Sequence, residues 1–170
     1  MVRVLIGDDH VLVREGLRNV LSREPDMRVV GEAGDREALL ALADSTAADV
    51  VVMDINMPGG SAPGALMRLR KRHPQLPVLL LSMLPEDHVA LGFLKLGAAG
   101  FVSKASAAGE LVTAIRTAVA GRWHFSPALA QRMASGERRF CSHTFGLPLR
   151  ARRRSSATSG ATSVCSSSAM

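Results

Sequence analysis

Runs of β-branched and aliphatic residues alternate along the chain with stretches whose apolar positions recur every three or four residues. Val2 to Ile6 predicts a strand, and Val13, Leu17, Val20 and Leu21 then fall on one face of a helix closed by Pro25. Met27 to Ala33 predicts a second strand. Asp35 is placed to cap a helix carrying Leu39, Leu40 and Leu42, and Val50 to Met53 reads as a third strand. Ser61 is the expected cap of the helix of Leu66 and Leu69, which bears the basic face RLRKRH. A strand at Pro77 to Leu81, a helix at Glu86 to Leu96 and a short strand at Ala99 to Val102 follow. Leu111, Ala114, Ile115 and Ala118 mark the face of the next helix.

Five repeats of strand then helix predict an α/β fold: a five-stranded parallel sheet, doubly wound, with helices on both faces. The near-continuous apolar strands VVVM and PVLLL agree, because parallel strands are buried on both sides. Beyond Gly121 the alternation stops. Ser126 to Ala134 predicts one more short helix, with Ser126 as cap and Pro127 in the first turn. From Ser135 onward there is no apolar period. The last sixteen residues, SSATSGATSVCSSSAM, are more than half Ser and Thr and bury too little to offset the entropy of ordering. Three segments are therefore expected: a folded domain over 1–122, a linker with a short helix over 123–136, and a disordered basic, Ser-rich tail over 137–170.

Charge changes this picture only at the end of the chain. The 170 residues carry a formal +6, which taken whole suggests a nucleic-acid partner. Residues 1–133 hold fifteen Lys and Arg against fourteen Asp and Glu, about +1, whereas 134–170 hold six Arg against Glu137 alone, about +5. The basic character belongs to the tail, and the first 133 residues give no electrostatic footprint for DNA. Cys141 and Cys165 also lie in the tail, with no His or Cys at metal-ligand spacing. No signal-peptide stretch opens the chain and charges interrupt every candidate transmembrane run, so a cytoplasmic domain with no membrane partner is expected.

In a doubly wound sheet the ligand site lies at the carboxyl ends of the strands. Strand one ends in Gly7-Asp8-Asp9, strand three in Asp54, strand four in Ser82 and strand five in Ser103-Lys104. One edge thus gathers three carboxylates, a hydroxyl and an ammonium. At an effective dielectric of about 20, each contact pair of carboxylates costs roughly 3–4 kcal/mol. A hard divalent cation offsets that repulsion, and Mg²⁺ typically takes one or two carboxylates while keeping waters and a phosphate oxygen. Any one of these residues alone is ordinarily a helix cap or a solvated side chain. The weight lies in their joint occurrence, each at the end of a different strand.

This constellation, in VLIGDDH, VVVMDINMPG, PVLLLSM and AAGFVSK, closely resembles the receiver domain of two-component response regulators, over about residues 1–122. The resemblance implies a flavodoxin-like receiver that accepts a phosphoryl group on Asp54 from a sensor histidine kinase, a signalling module and not a turnover enzyme. Asp8 and Asp9 would hold Mg²⁺ with Asp54 and the backbone carbonyl of Asn56. Lys104 would pair first with the carboxylate and then with the phosphoryl group, and Ser82 would move to hydrogen-bond a phosphoryl oxygen. Phe101 stands where receivers carry an aromatic residue that swings inward on activation; it fits a plain core position of strand five equally well. The residue chemistry is consistent with this on its own terms, since phosphoryl transfer asks for charge neutralisation and positioning, and a carboxylate is already ionised at neutral pH.

Ala105-Ser106 after the lysine, LGAAGFVSKAS, GRWHFSPALAQRMA and DDHVLVREGLRNVL resemble the NarL/FixJ (LuxR-type) subfamily. That resemblance implies transcription regulation, often homodimers formed through exposed helix faces, and a helix-turn-helix domain after the linker, whose second helix reads the major groove. FCSHTFGLPLRARRRSSATSGATSVCSSSAM has no helix period to supply one, and its abrupt Arg, Ser, Ala and Cys content resembles an out-of-frame reading. The expectation is an effector domain lost from 137–170, with DNA binding implied for full-length relatives only. Two other readings compete: an aspartyl-phosphate phosphotransferase or phosphatase of the haloacid-dehalogenase type, and a DNA-binding regulator using Arg150 and Arg152 to Arg154 of the tail. The first wants an acid two residues after the nucleophile, where this chain has Asn56.

Overall fold

A computed structural model describes residues 1–83, 90–105 and 107–125, and for 107 and 108 the backbone alone. The elements run β1 (Val2–Gly7), α1 (Val11–Ser22), β2 (Met27–Ala33), α2 (Arg36–Ser45) and β3 (Val50–Asp54). They continue with α3 (Ala62–Arg72), β4 (Val78–Ser82), α4 (Ala90–Lys95), β5 (Gly100–Ser103) and α5 (Ala107–Val119). All strand pairs are parallel, in the order β2-β1-β3-β4-β5. The expected five-stranded, doubly wound α/β architecture is the observed one. The helix expected at Ser126 to Ala134, the tail from 137 and the first residues of the helix expected from Glu86 lie outside the described residues.

Successive strand residues point to opposite faces, and both faces are apolar. Val4, Ile6, Val50, Val52, Leu79, Leu81 and Val102 pack with Leu17 and Leu21 of α1 and with Leu111, Ala114, Ile115 and Ala118 of α5. Leu5, Val51, Met53, Val78, Leu80 and Phe101 pack on the other face with residues of α2, α3 and α4. Each central strand is therefore held from both sides, which accounts for the unbroken runs VVVM and VLLL.

The helix starts follow the sequence. Asp35 accepts a hydrogen bond from the Ala38 amide at 2.8 Å, and the Ser61 hydroxyl accepts one from Gly64 at 3.2 Å. Strands β3, β4 and β5 each run one residue further than expected. Asp54 and Ser82 are thus the last residues of their strands, in register with Leu81 and Ser103.

The free edge of β5 is covered by the chain itself. The Phe101 amide donates to the His124 carbonyl at 3.0 Å, and the His124 amide donates to Ala99 at 3.0 Å. His124 Nε2 lies 2.8 Å from Glu110 Oε1 of α5, and Phe125 packs, partly buried, against the core that contains Phe101. This short parallel strip satisfies backbone groups that an exposed edge would leave to another chain. It requires Gly100, because a Cβ there would overlap the His124 carbonyl oxygen. Gly100→Ala should release residues 123–125 from β5. Hydrogen–deuterium exchange should then accelerate at the Phe101 and His124 amides while β1 and β3 stay protected; unchanged protection at those two amides would refute the strip.

Candidate functional site

Three of the strand ends meet around one ammonium. Lys104 Nζ sits 2.6 Å from Asp8 Oδ2 and 2.9 Å from Asp54 Oδ2. Both carboxylates are fully buried and the lysine side chain is 6% exposed, so this is a buried ion triad carrying two negative charges and one positive. Burial opposes the charge on Lys104, but the two carboxylates outweigh it and hold its pKa above the ordinary lysine value. The Lys104 amide also donates to the Ser82 carbonyl at 2.8 Å, which fixes where the side chain leaves β5.

The two buried carboxylates are held alike. Each gives one oxygen to a backbone amide two residues on: Asp8 Oδ1 accepts from His10 at 2.9 Å, and Asp54 Oδ1 accepts from Asn56 at 3.2 Å. Each leaves its Oδ2 to the ammonium alone, with no further hydrogen bond. Asp9 lies beside them, about one-third exposed, with Oδ1 2.8 Å from His10 Nδ1. Ligand atoms of Asp8, Asp9, His10 and Asp54 all fall within 4.8 Å of one another.

These residues fit a divalent cation. Two buried carboxylate oxygens lack full compensation, and Asp8, Asp9 and Asp54 supply the all-oxygen donor set that a hard ion such as Mg²⁺ takes. The imidazole of His10 is not needed for that set.

The remaining expected residues lie at the same edge. Ser82 is fully buried at the end of β4. Asn56 is exposed in the loop after β3, where Gly59 and Gly60 adopt φ of 95° and 92°. That left-handed backbone suits glycine and explains the pair after Pro58. Phe101 is 2% exposed and lies in register with Leu80, so in this structure it is a core aromatic of β5.

Two arginines near the site escaped the sequence reading. Arg14 Nη1 donates to the Asp8 carbonyl at 2.6 Å from α1. Arg36, in the first turn of α2, is 4% exposed and donates to the carbonyls of Ile55 at 2.6 Å and Gly60 at 2.7 Å. Burial lowers the pKa of its guanidinium, while the charges of Asp54 and Asp9 pull it upward. A charged residue just after an N-cap ordinarily faces water, so no local pattern announces its burial.

Comparison with known proteins gives the same picture. A family model described as the response regulator receiver domain matches residues 4–116. Response regulator GacA of Pseudomonas viridiflava is 39% identical over 134 residues, covering 79% of this chain and 63% of GacA. Response regulator UvrY of Escherichia coli is 35% identical over 134 residues, covering 79% of this chain and 62% of UvrY. The chain thus spans less than two thirds of the length of these curated relatives. A LuxR-family two-component response regulator from Aurantimonas sp. superposes with a TM-score of 0.72 at 38% identity, covering 78% of this chain and 94% of that one. The isolated REC domain of RcsB from Salmonella enterica serovar Typhimurium, solved in the presence of phosphomimetic BeF3, gives 0.70 at 27%, covering 76% and 96%. On the receiver model's match from residue 4 to residue 116, which takes in Asp8, Asp9, Asp54, Ser82 and Lys104, the chain belongs to the response regulator receiver family.

Proposed function

We propose that this chain is a cytoplasmic, phosphorylatable receiver in which Asp54 accepts a phosphoryl group from a phosphohistidine of a sensor histidine kinase. The observation that carries the proposal is the buried Lys104 ammonium shared by Asp54 and Asp8, beside an acidic cluster that its single charge does not neutralise. An Asp54 carboxylate oxygen attacks phosphorus. The new O–P bond forms as the P–N bond breaks, and the electron pair returns to the kinase imidazole. The product is an acyl phosphate whose oxygens the Lys104 ammonium can pair with.

Asp8, Asp9, Asp54 and the Asn56 carbonyl would hold Mg²⁺, which when bound supplies charge neutralisation for the incoming dianion. The Ser82 hydroxyl then donates to a phosphoryl oxygen, and Phe101, packed two residues before Ser103 on β5, responds as the second half of the switch. The surface that changes would be α4, β5 and α5. By likeness to RcsB of Salmonella typhimurium, a response regulator described through its interaction with DNA, the output in longer relatives would be transcriptional. The same reading puts the receiver over 1–122, with the linker from 123 already attached to β5 through His124. At the position where a turnover phosphatase would need an acid stands Asn56, whose amide is bonded to Asp54 Oδ1.

Incubation with acetyl phosphate and Mg²⁺ should add one phosphoryl mass to the intact chain. The adduct should vanish in Asp54→Asn, and an adduct that survives that substitution would overturn the assignment. Charge repulsion yields a second expectation. In metal-free buffer Asp54→Asn removes one of three clustered carboxylates and should melt higher than wild type, by about 1–3 kcal/mol of stability, since one contact repulsion is worth up to about 4 kcal/mol at a dielectric of 20. Millimolar Mg²⁺ should raise the wild-type melting temperature and leave Asp54→Asn nearly unmoved. A wild-type melt indifferent to Mg²⁺ would remove the metal from the proposal.

A further inference from the structure

Arg36 has an unusual environment for a buried cation. Its side chain contacts carbonyls, not a carboxylate: Nη2 reaches Ile55 at 2.6 Å and Nη1 reaches Gly60 at 2.7 Å. Its own amide donates to the Pro58 carbonyl at 2.9 Å. One residue of α2 thus takes three carbonyls of the loop that follows Asp54, those of residues 55, 58 and 60. Asn56 is not among them. Gly59 turns closely over this contact, where a Cβ would come 3.1 Å from the Arg36 amide nitrogen and 3.3 Å from its Cβ. A second tie sets the loop's other side, since the Ile55 amide donates to Leu81 of β4 at 3.1 Å.

We propose that Arg36 is a positioning residue for cation binding, fixing the 55–60 loop so that the Asn56 carbonyl is presented to the acidic cluster. The role rests on the metal reading given above. The planar fork of a guanidinium holds two carbonyls at a set separation, which a lysine ammonium cannot do. Hydrogen bonds that orient ligating groups typically govern metal affinity by about 10- to 100-fold.

Charge alone makes the opposite prediction, which separates the two accounts. A cation near Asp54 and Asp9 competes electrostatically with a divalent ion, so its removal should tighten binding if charge were all that mattered. Positioning predicts that removal weakens it. Mg²⁺ alone should be titrated calorimetrically into the metal-free 170-residue chain as wild type, Arg36→Lys, Arg36→Met and Asp9→Asn, with a thermal melt of each.

Both Arg36 variants should bind Mg²⁺ about tenfold or more weakly, and their acetyl-phosphate labelling rates should recover at saturating Mg²⁺. Arg36→Met binding more tightly with Arg36→Lys unchanged, or both unchanged, overturns the role. So does a labelling rate that stays low at saturating Mg²⁺. If Arg36→Met loses its cooperative melt, Arg36→Lys, which keeps the charge, decides alone. A wild type that binds no Mg²⁺, or an Asp9→Asn that binds it as well as wild type, overturns the metal reading itself and this role with it.

Discussion

Everything at the carboxyl edge of the sheet depends on one ammonium shared by two buried carboxylates. Lys104 reaches Asp8 and Asp54 at 2.6 and 2.9 Å from a side chain almost closed to water. Removing the ammonium would leave two buried carboxylates uncompensated in a low dielectric, which costs far more than a surface pair contributes. The triad is also short of positive charge, because two carboxylates and the adjacent Asp9 face one cation. In the proposed function a divalent ion would offset that shortage, and a dianionic phosphoryl group would restore the excess of negative charge that Lys104 is placed to meet.

The triad can exist only because the strands cannot rotate. Val50 and Val52 face α1 and α5 while Val51 and Met53 face α2 to α4, so the direction in which Asp54 leaves β3 is set by the two cores. The same holds on β4, where Leu79 and Leu81 alternate with Val78 and Leu80 before Ser82. A slip of one residue in either strand would exchange two apolar layers at once. Packing on both faces therefore does the positioning that loops alone would do poorly, and it does so tens of residues away in sequence from Lys104.

Much of this was legible because it is periodic or terminal. Unbroken apolar runs between amphipathic stretches identify buried parallel strands, and Asp35 and Ser61 fall where caps belong and make the cap bonds. The strand-end carboxylates and Lys104 could be gathered on paper once strand order was known. What stayed hidden depends on contacts between segments. Arg36 looks like an ordinary first-turn residue until the loop after β3 closes on it, and Arg14 reads as one more charge on the face of α1. The strip at His124 has no period of its own, and only Gly100 on the partner strand shows that something lies against it.

The two arginines also explain how an acidic site stays open. Had either guanidinium reached Asp8 or Asp54, it would have formed a bidentate pair and taken the oxygens that a metal needs. Arg14 instead bonds the Asp8 carbonyl, and Arg36 bonds the carbonyls of Ile55 and Gly60. Both tie down backbone beside the acids while leaving the Oδ2 of Asp8 and of Asp54 to Lys104. Positive charge is thereby held near the cluster without being spent on it. The Asp8 carbonyl and the Glu32 carboxylate, 3.5 Å from Arg14 Nε, hold one of these cations away from the cluster, and loop carbonyls hold the other.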